Sequence, residues 1–138
     1  GSPDGFYQDV GERTVWSAVA ELEKEYRMKP RMFLSGFSAG AYFIQGFTYH
    51  YPRYVSGLSI LSAGLYIEPS AFPELIPMVV VIGDQDYAPS VQSSRMFVDG
   101  LQGYGFDIQY EIMPGVGHAV TKKGVNLTLD LFRKTIGK

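Results

Sequence analysis

Arg31-Met32-Phe33-Leu34-Ser35, running into Gly36-Phe37-Ser38-Ala39-Gly40, is the stretch whose reading decides the fold. Its first half is a short, mostly apolar run, the pattern of a buried strand. Its second half is a glycine-flanked turn with one serine at the centre. From Ala39 the period changes, and Tyr42, Phe43, Ile44 and Phe47 carry a helix toward Pro52. A strand that turns this sharply into a helix presses backbone against backbone around the serine. Glycines at 36 and 40 are therefore expected to avoid collisions while Ser38 projects its hydroxyl outward. Small residues in the first helical turn, Ala39, Gly40 and Ala41, permit close packing of helix on strand.

The same alternation extends in both directions. Upstream, Gly1 to Asp9 reads as irregular, and Val15, Val19, Leu22 and Tyr26 then recur at helical spacing, so a helix is expected from about Thr14 to Tyr26, with Pro30 ending the run. Glu23 and Arg27 would form an i,i+4 pair on its wet face. Downstream, Val55 to Ser62 reads as a second strand and Ala63 to Pro77 as a loop with at most one helical turn. Met78 to Ile82 is continuously apolar and reads as a central strand covered on both faces. Ser90 is expected to cap a helix bearing Val91, Val98 and Leu101, which Gly103 and Gly105 stop. Phe106, Ile108, Tyr110 and Ile112 alternate with polar residues, as in a last strand near a sheet edge. A closing helix from about Thr121 gathers Val125, Leu129, Phe132 and Ile136 on one side. Strands alternating with helices predict an α/β fold, a mostly parallel sheet of about four strands flanked by helices, in a single domain over residues 1–138.

Composition narrows the partners. The chain has 138 residues, 46% apolar and 14% aromatic, which suits one core and is too short for two ordinary domains. Its 12 Lys+Arg against 14 Asp+Glu give a net charge of -2, no footprint for nucleic acid or an anionic membrane, and neither is expected as a partner. The longest apolar stretch, Ile76 to Ile82, is interrupted by Pro77 and falls far short of the roughly 20 residues that span a bilayer. The chain has no cysteine, hence no disulfide, thiolate zinc site or cysteine nucleophile. Two histidines offer little for a histidine-rich metal site, and no metal is expected. Nothing assigns a compartment. Asn126-Leu127-Thr128 fits a glycosylation acceptor but falls inside the expected closing helix, where it reads as coincidence.

Two further turns complete a chemical constellation. Gly83-Asp84-Gln85-Asp86 follows the central strand, and Gly115-Val116-Gly117-His118 follows the last one. In a parallel sheet the carboxyl ends of the strands share one edge, so residues far apart in sequence converge there. An isolated serine hydroxyl is a poor nucleophile. His118 can take its proton and return it to a leaving group, and an aspartate can hold the imidazole tautomer and stabilise the imidazolium. Asp86 is favoured as that acid; Asp84, directly after Gly83 in the tight turn, reads as a loop brace, and Glu68 is a third candidate. The Ala39 N–H, at a helix start, can donate to a developing oxyanion. Phe37, Tyr42 and Tyr87 flank the serine and line an acyl or alcohol pocket, or are simply core. His50, beside Tyr49, Tyr51 and Pro52 at a helix end, reads as structural or solvated.

These motifs resemble the α/β-hydrolase family, and the local sequence is most similar to its esterase branch, including polyhydroxybutyrate-depolymerase-like and feruloyl-esterase-like enzymes. Asp4-Gly5-Phe6 with Asp9-Val10, Arg31 to Gly40, Tyr51-Pro52-Arg53-Tyr54, Gly83 to Asp86 and Gly115 to His118 carry the resemblance. It covers essentially the whole chain. It implies a nucleophile at Ser38, an acid at Asp86, a base at His118, an oxyanion donor at Ala39 and no cofactor. Family members usually have some four strands before the first helix read here, and a loop after the third supplies a second oxyanion donor. The resemblance is therefore to a truncated form, a fragment or a minimal hydrolase in which Gly5 and Phe6, or a partner subunit, provide that amide. The strand Arg31 to Ser35 would then present an open edge, and a homo-oligomer is expected to cover it.

The implied activity is that of a carboxylesterase cleaving short-chain acyl esters through an acyl-enzyme on Ser38, at a rate falling below roughly pH 6 to 7 as His118 protonates. The competing reading is a non-catalytic fold fragment or interaction module without a complete oxyanion hole. Thioesterases, acyltransferases and peptidases use the same machinery, and fold alone does not choose among them.

Overall fold

Each period switch in the sequence corresponds to an element of the computed structural model, which describes residues 8–136. In chain order these are α1 (Gln8–Glu23), β1 (Met32–Phe37), α2 (Ala39–His50), β2 (Val55–Leu61), β3 (Met78–Gly83), α3 (Ala88–Gly103), β4 (Ile108–Met113) and α4 (Lys122–Thr135). Single 3-10 turns occur at Pro52–Tyr54 and Pro69–Ala71, the second being the one helical turn in the long β2–β3 connection. The strands lie in the order β1-β2-β3-β4 and every pairing is parallel.

Strand periodicity distributes the core between two faces. Leu58, Ile60, Met78 and Val80 pack with Ala41, Ile44 and Phe47 of α2 and with Phe97, Val98 and Leu101 of α3. Leu61, Val79 and Val81 point the other way, toward Leu127 and Leu131 of α4. All of β3 is buried, as a continuously apolar strand requires. Full burial of a side chain such as Phe47 or Leu101 contributes about 1.5 to 3 kcal/mol. On the α4 face a polar pin sits among the apolar contacts. Thr128 donates to the Gly124 carbonyl (2.8 Å) and lies 2.6 Å from the Ser59 hydroxyl. The Asn126-Leu127-Thr128 triplet thus lies within α4.

Several boundaries differ from the sequence reading, each for a local reason. α1 begins at Gln8 and ends at Glu23, so Arg27 lies outside it and the Glu23–Arg27 pair does not form on one helix. Gly11 belongs to the helix because the Phe43 ring of α2 presses on it; a Cβ there would stand 2.6 Å from that ring. Trp16 fills the same junction, its ring centroid 5.1 to 5.6 Å from those of Phe47, Tyr51 and Tyr54. Leu22 and Tyr26 remain exposed. Ser90 caps nothing. α3 has already begun at Ala88, with Pro89 in its first turn, and the buried Ser90 hydroxyl donates to the Gly64 carbonyl (3.0 Å). β1 runs two residues past Ser35, and β4 starts at Ile108 rather than Phe106. Phe106 is spent on the preceding turn, where Gly105 adopts φ +90 and the Phe106 N–H donates to the Leu101 carbonyl.

Candidate active site

The Ser38 N–H extends the sheet by donating to the Leu61 carbonyl (3.0 Å), and the chain then turns at once into α2. Ser38 takes φ 57 and ψ -119, a conformation that costs a non-glycine residue about 1 to 3 kcal/mol and that surrounding structure must impose. Gly36 makes the turn possible: a Cβ there would lie 2.4 Å from the Gly40 carbonyl oxygen. The expected collision at Gly40 is absent, since a Cβ there meets no atom of the described residues within 4 Å. It is the Gly40 backbone that crowds Gly36, so only one of the two glycines needs to lack a side chain. Ala39 opens α2, and amides of a first helical turn have no intrahelical partner.

Beyond the ends of β3 and β4 two turns meet face to face. Gly83 is what lets them touch, because a Cβ on it would stand 2.1 Å from the Val116 carbonyl oxygen. Asp86 and His118 face each other across this junction, 2.9 Å from Oδ2 to Nδ1. The other imidazole nitrogen, Nε2, lies 2.9 Å from Ser38 Oγ. A carboxylate only accepts, so the Nδ1 proton is donated to Asp86, and Nε2 of the neutral ring is left to accept from the serine hydroxyl. Asp86 is itself held by the Tyr87 N–H, which donates to Oδ1 at 2.7 Å. The Asp86 side chain is 6% exposed and that of His118 47%, so the carboxylate is sheltered while the imidazole opens to solvent.

The other residues singled out from sequence fall into place around this line. Asp84 does not touch the histidine ring. Its Oδ1 accepts from the Gly115 N–H (2.8 Å) and from Gln85 Nε2 (3.3 Å), which braces the loop before His118. Glu68 lies at the head of the 3-10 turn, where its carbonyl accepts from the Ala71 N–H, and is not a partner of His118. Phe37 stacks on the His118 ring with centroids 5.0 Å apart, and it, Tyr42 and Tyr87 are exposed beside the serine rather than core. Gly5 and Phe6 lie outside the described residues.

His50 is structural. Its Nδ1 lies 2.7 and 2.8 Å from the two oxygens of Glu12, a buried carboxylate that also accepts from Gln8 Nε2 (2.8 Å). The group ties α1 to the end of α2. Sequence reasoning passed over Glu12, which lies before the expected start of the first helix at about Thr14. It also passed over Ser62, a buried residue with φ 51 whose hydroxyl donates to the Ala119 carbonyl next to the histidine (3.3 Å).

No protein-family model and no curated protein matches the chain. Solved structures do. The chain is similar to esterase PE8, at 21% identity and a TM-score of 0.75, with 94% of this chain and 62% of that one covered. It is similar to SOBER1 of Arabidopsis thaliana at 18% identity and a TM-score of 0.72, covering 94% and 64%. For a phospholipase/carboxylesterase from Dyadobacter fermentans the values are 20% and 0.68, covering 91% and 63%. Likeness at these identities is a likeness of fold. The fold is of the α/β-hydrolase type, a four-stranded parallel sheet flanked by helices, and the chain spans a little under two thirds of the length of these neighbours.

Proposed function

We propose that the protein is a serine hydrolase, a carboxylesterase that cleaves short-chain acyl esters through an acyl-enzyme on Ser38. The observation that carries this reading is the unbroken line from Ser38 Oγ through His118 to Asp86, two contacts of 2.9 Å anchored on a strained serine. As Oγ attacks the ester carbonyl carbon, its proton passes to His118 Nε2. The carbonyl electron pair moves onto oxygen, where the Ala39 N–H donates to it. Collapse expels the alcohol, which takes the proton from Nε2, and a water then repeats the sequence to release the acid. Asp86 stabilises the imidazolium at each step. Resemblance to the polyhydroxybutyrate-depolymerase-like and feruloyl-esterase-like branch agrees with this chemistry. The openness of the site, with His118 half-exposed and Tyr87 71% exposed, favours small substrates over long acyl chains.

The test is intact-mass analysis after treatment with a fluorophosphonate, on the parent chain and on Ser38→Ala. An adduct on the parent alone supports the reading; none on either overturns it. A steep preference for long acyl chains in a p-nitrophenyl ester series would overturn the short-chain part. One observation favours a second reading, an interaction module that retains the serine turn: among the described residues Ala39 is the one oxyanion donor identified. Loss of one such donor slows catalysis about a hundredfold or more, so slow turnover is compatible with the first reading and complete inertness with the second.

We also propose that the edge of β1 pairs with a second copy of the chain. In the described sheet β1 pairs only with β2, and beside it on α4 Val125, Leu129, Phe132 and Ile136 are each 40 to 42% exposed. Light scattering that finds a stable monomer at tens of micromolar overturns this.

A further inference from the structure

The loop that carries His118 has two glycines and little internal bonding beyond the Ala119 N–H donating to the Gly117 carbonyl at 3.0 Å. Gly115 takes φ +71, and a Cβ on Gly117 would meet no atom of the described residues within 4 Å. The loop is instead tied from outside on both sides of the imidazole. After the ring, the Ser62 hydroxyl donates to the Ala119 carbonyl. Before it, the Asp84 N–H donates to the Met113 carbonyl at 2.9 Å, the Gln85 N–H donates to the Val116 carbonyl at 2.8 Å, and Asp84 Oδ1 accepts from the Gly115 N–H at 2.8 Å. Only the last of these three uses a side chain, so it is the one of them that a substitution can remove without touching the backbone. It also acts on the one glycine of this loop that stands at positive φ, where the direction of the peptide plane has the least local support.

We propose that Asp84 is a positioning residue for His118. Two aspartates separated by one residue serve the same imidazole in different ways. Asp86 orients the ring through Nδ1, and Asp84 orients the backbone from which the ring hangs. Asp84 is exposed and fills no part of the core, so its substitution tests position rather than packing. The inference rests on the hydrolase reading for its functional meaning, while the tether can be measured without any turnover.

The experiment compares the full chain with Asp84→Ala, Asp84→Asn and Asp84→Glu. Asn keeps an acceptor oxygen in place; Glu keeps the charge but moves the oxygen outward by one methylene. Two readouts are taken, hydrogen exchange of the Gly115 amide with the His118 Nδ1–H resonance, and the rate of fluorophosphonate labelling with kcat and KM for a short ester. Asp84→Ala is expected to speed Gly115 exchange about tenfold or more and to broaden the His118 signal. It should lower kcat about 10- to 100-fold with KM within about twofold, since an ångström of misplacement costs on that order. Asn restores most of the loss and Glu little of it. Unchanged Gly115 exchange and His118 signal in Asp84→Ala, or an Asn variant as impaired as the Ala variant, overturns the proposal. If the parent chain takes up no fluorophosphonate, the hydrolase reading fails, and the exchange data still decide whether Asp84 holds the loop.

Discussion

The molecule contains two histidine–carboxylate pairs that are nearly indistinguishable as pairs. In each, Nδ1 faces a carboxylate oxygen, at 2.9 Å for His118 and Asp86 and at 2.7 Å for His50 and Glu12. In each the histidine is 47% and the carboxylate 6% exposed. What differs lies at the other nitrogen. His118 Nε2 meets a serine held at positive φ at the head of a helix, whereas His50 Nε2 has no hydrogen-bonding partner among the described residues. Each carboxylate has a further donor, the Tyr87 N–H for Asp86 and Gln8 for Glu12, and the Gln8 amide bridges on to the Phe43 carbonyl at 2.9 Å. A polarised histidine is therefore not a mark of chemistry in itself. Here one pair serves a sheet edge and the other a helix junction.

The largest expected effect breaks the comparison at its centre. His118→Ala should slow labelling of Ser38 by about a thousandfold or more and, because Asp86 would stay sheltered with the Tyr87 N–H as its remaining partner, lower the unfolding free energy by about 1 to 3 kcal/mol. His50→Ala should leave labelling within about twofold of the parent. It should lower the unfolding free energy by about 1 to 3 kcal/mol, because Glu12 would remain buried with Gln8 as its remaining partner. Labelling rate and denaturant unfolding on the same two variants check both halves.

The next effect separates the two turns from the elbow. Gly83→Ala drives a methyl into the Val116 carbonyl and should cost about 2 to 3 kcal/mol, slowing labelling as the loops bearing Asp86 and His118 part. Gly40→Ala meets open space in a helix and should change stability by less than about 1 kcal/mol, toward stabilisation. Urea midpoints for the two variants test this; a Gly40 variant as damaged as the Gly83 one would contradict the geometry.

Smaller effects concern the tyrosines packed behind the acid loop. Burial, with the neighbouring Tyr110 and Asp86 adding to it, pushes the Tyr66 hydroxyl well above its ordinary range. Burial also raises Tyr110. Unfolded tyrosines titrate near about 10. Above that value the unfolded chain binds fewer protons than the folded one, so stability is complete below it and falls as pH rises further. Urea unfolding at about pH 8 and pH 10.5 should show this alkaline loss, and Tyr66→Phe should shrink it. At neutral pH the same variant should be neutral or stabilising by up to about 1 kcal/mol, since the Tyr66 hydroxyl is buried without a partner among the described residues. Ser94 lies nearby, with its own hydroxyl engaged by the Val91 carbonyl (2.6 Å) and Tyr110 (2.5 Å).

What could be read from sequence was whatever is encoded over a few residues. The serine turn has its glycine, its strand and its helix within one short stretch, and the turns bearing Asp86 and His118 stand out as polar interruptions at strand ends. Asp84 and Asp86 could be ranked but not assigned, because which one faces the imidazole depends on a loop some thirty residues later. Distance in sequence hid the rest. Gly11 looks like a helix breaker until the Phe43 ring is set on it, and Ser90 looks like a cap until the Gly64 carbonyl competes for its hydroxyl. Glu12 looks solvated because charges are almost never buried unless paired, and its partner stands at His50. The necessity of Gly83 arises only when β3 and β4 are already side by side.

That last dependence carries into the order in which the chain assembles. β1 and β2 can pair around α2, and β3 and β4 around α3, each over a modest stretch of chain, but the Ser38–His118 contact joins positions 80 residues apart and needs all four strands in register. Contacts of such separation close late, after shorter loops have formed. During refolding, helical ellipticity and burial of Trp16 should therefore return before the serine regains its reactivity, and the lag between them would time the joining of the two halves of the sheet.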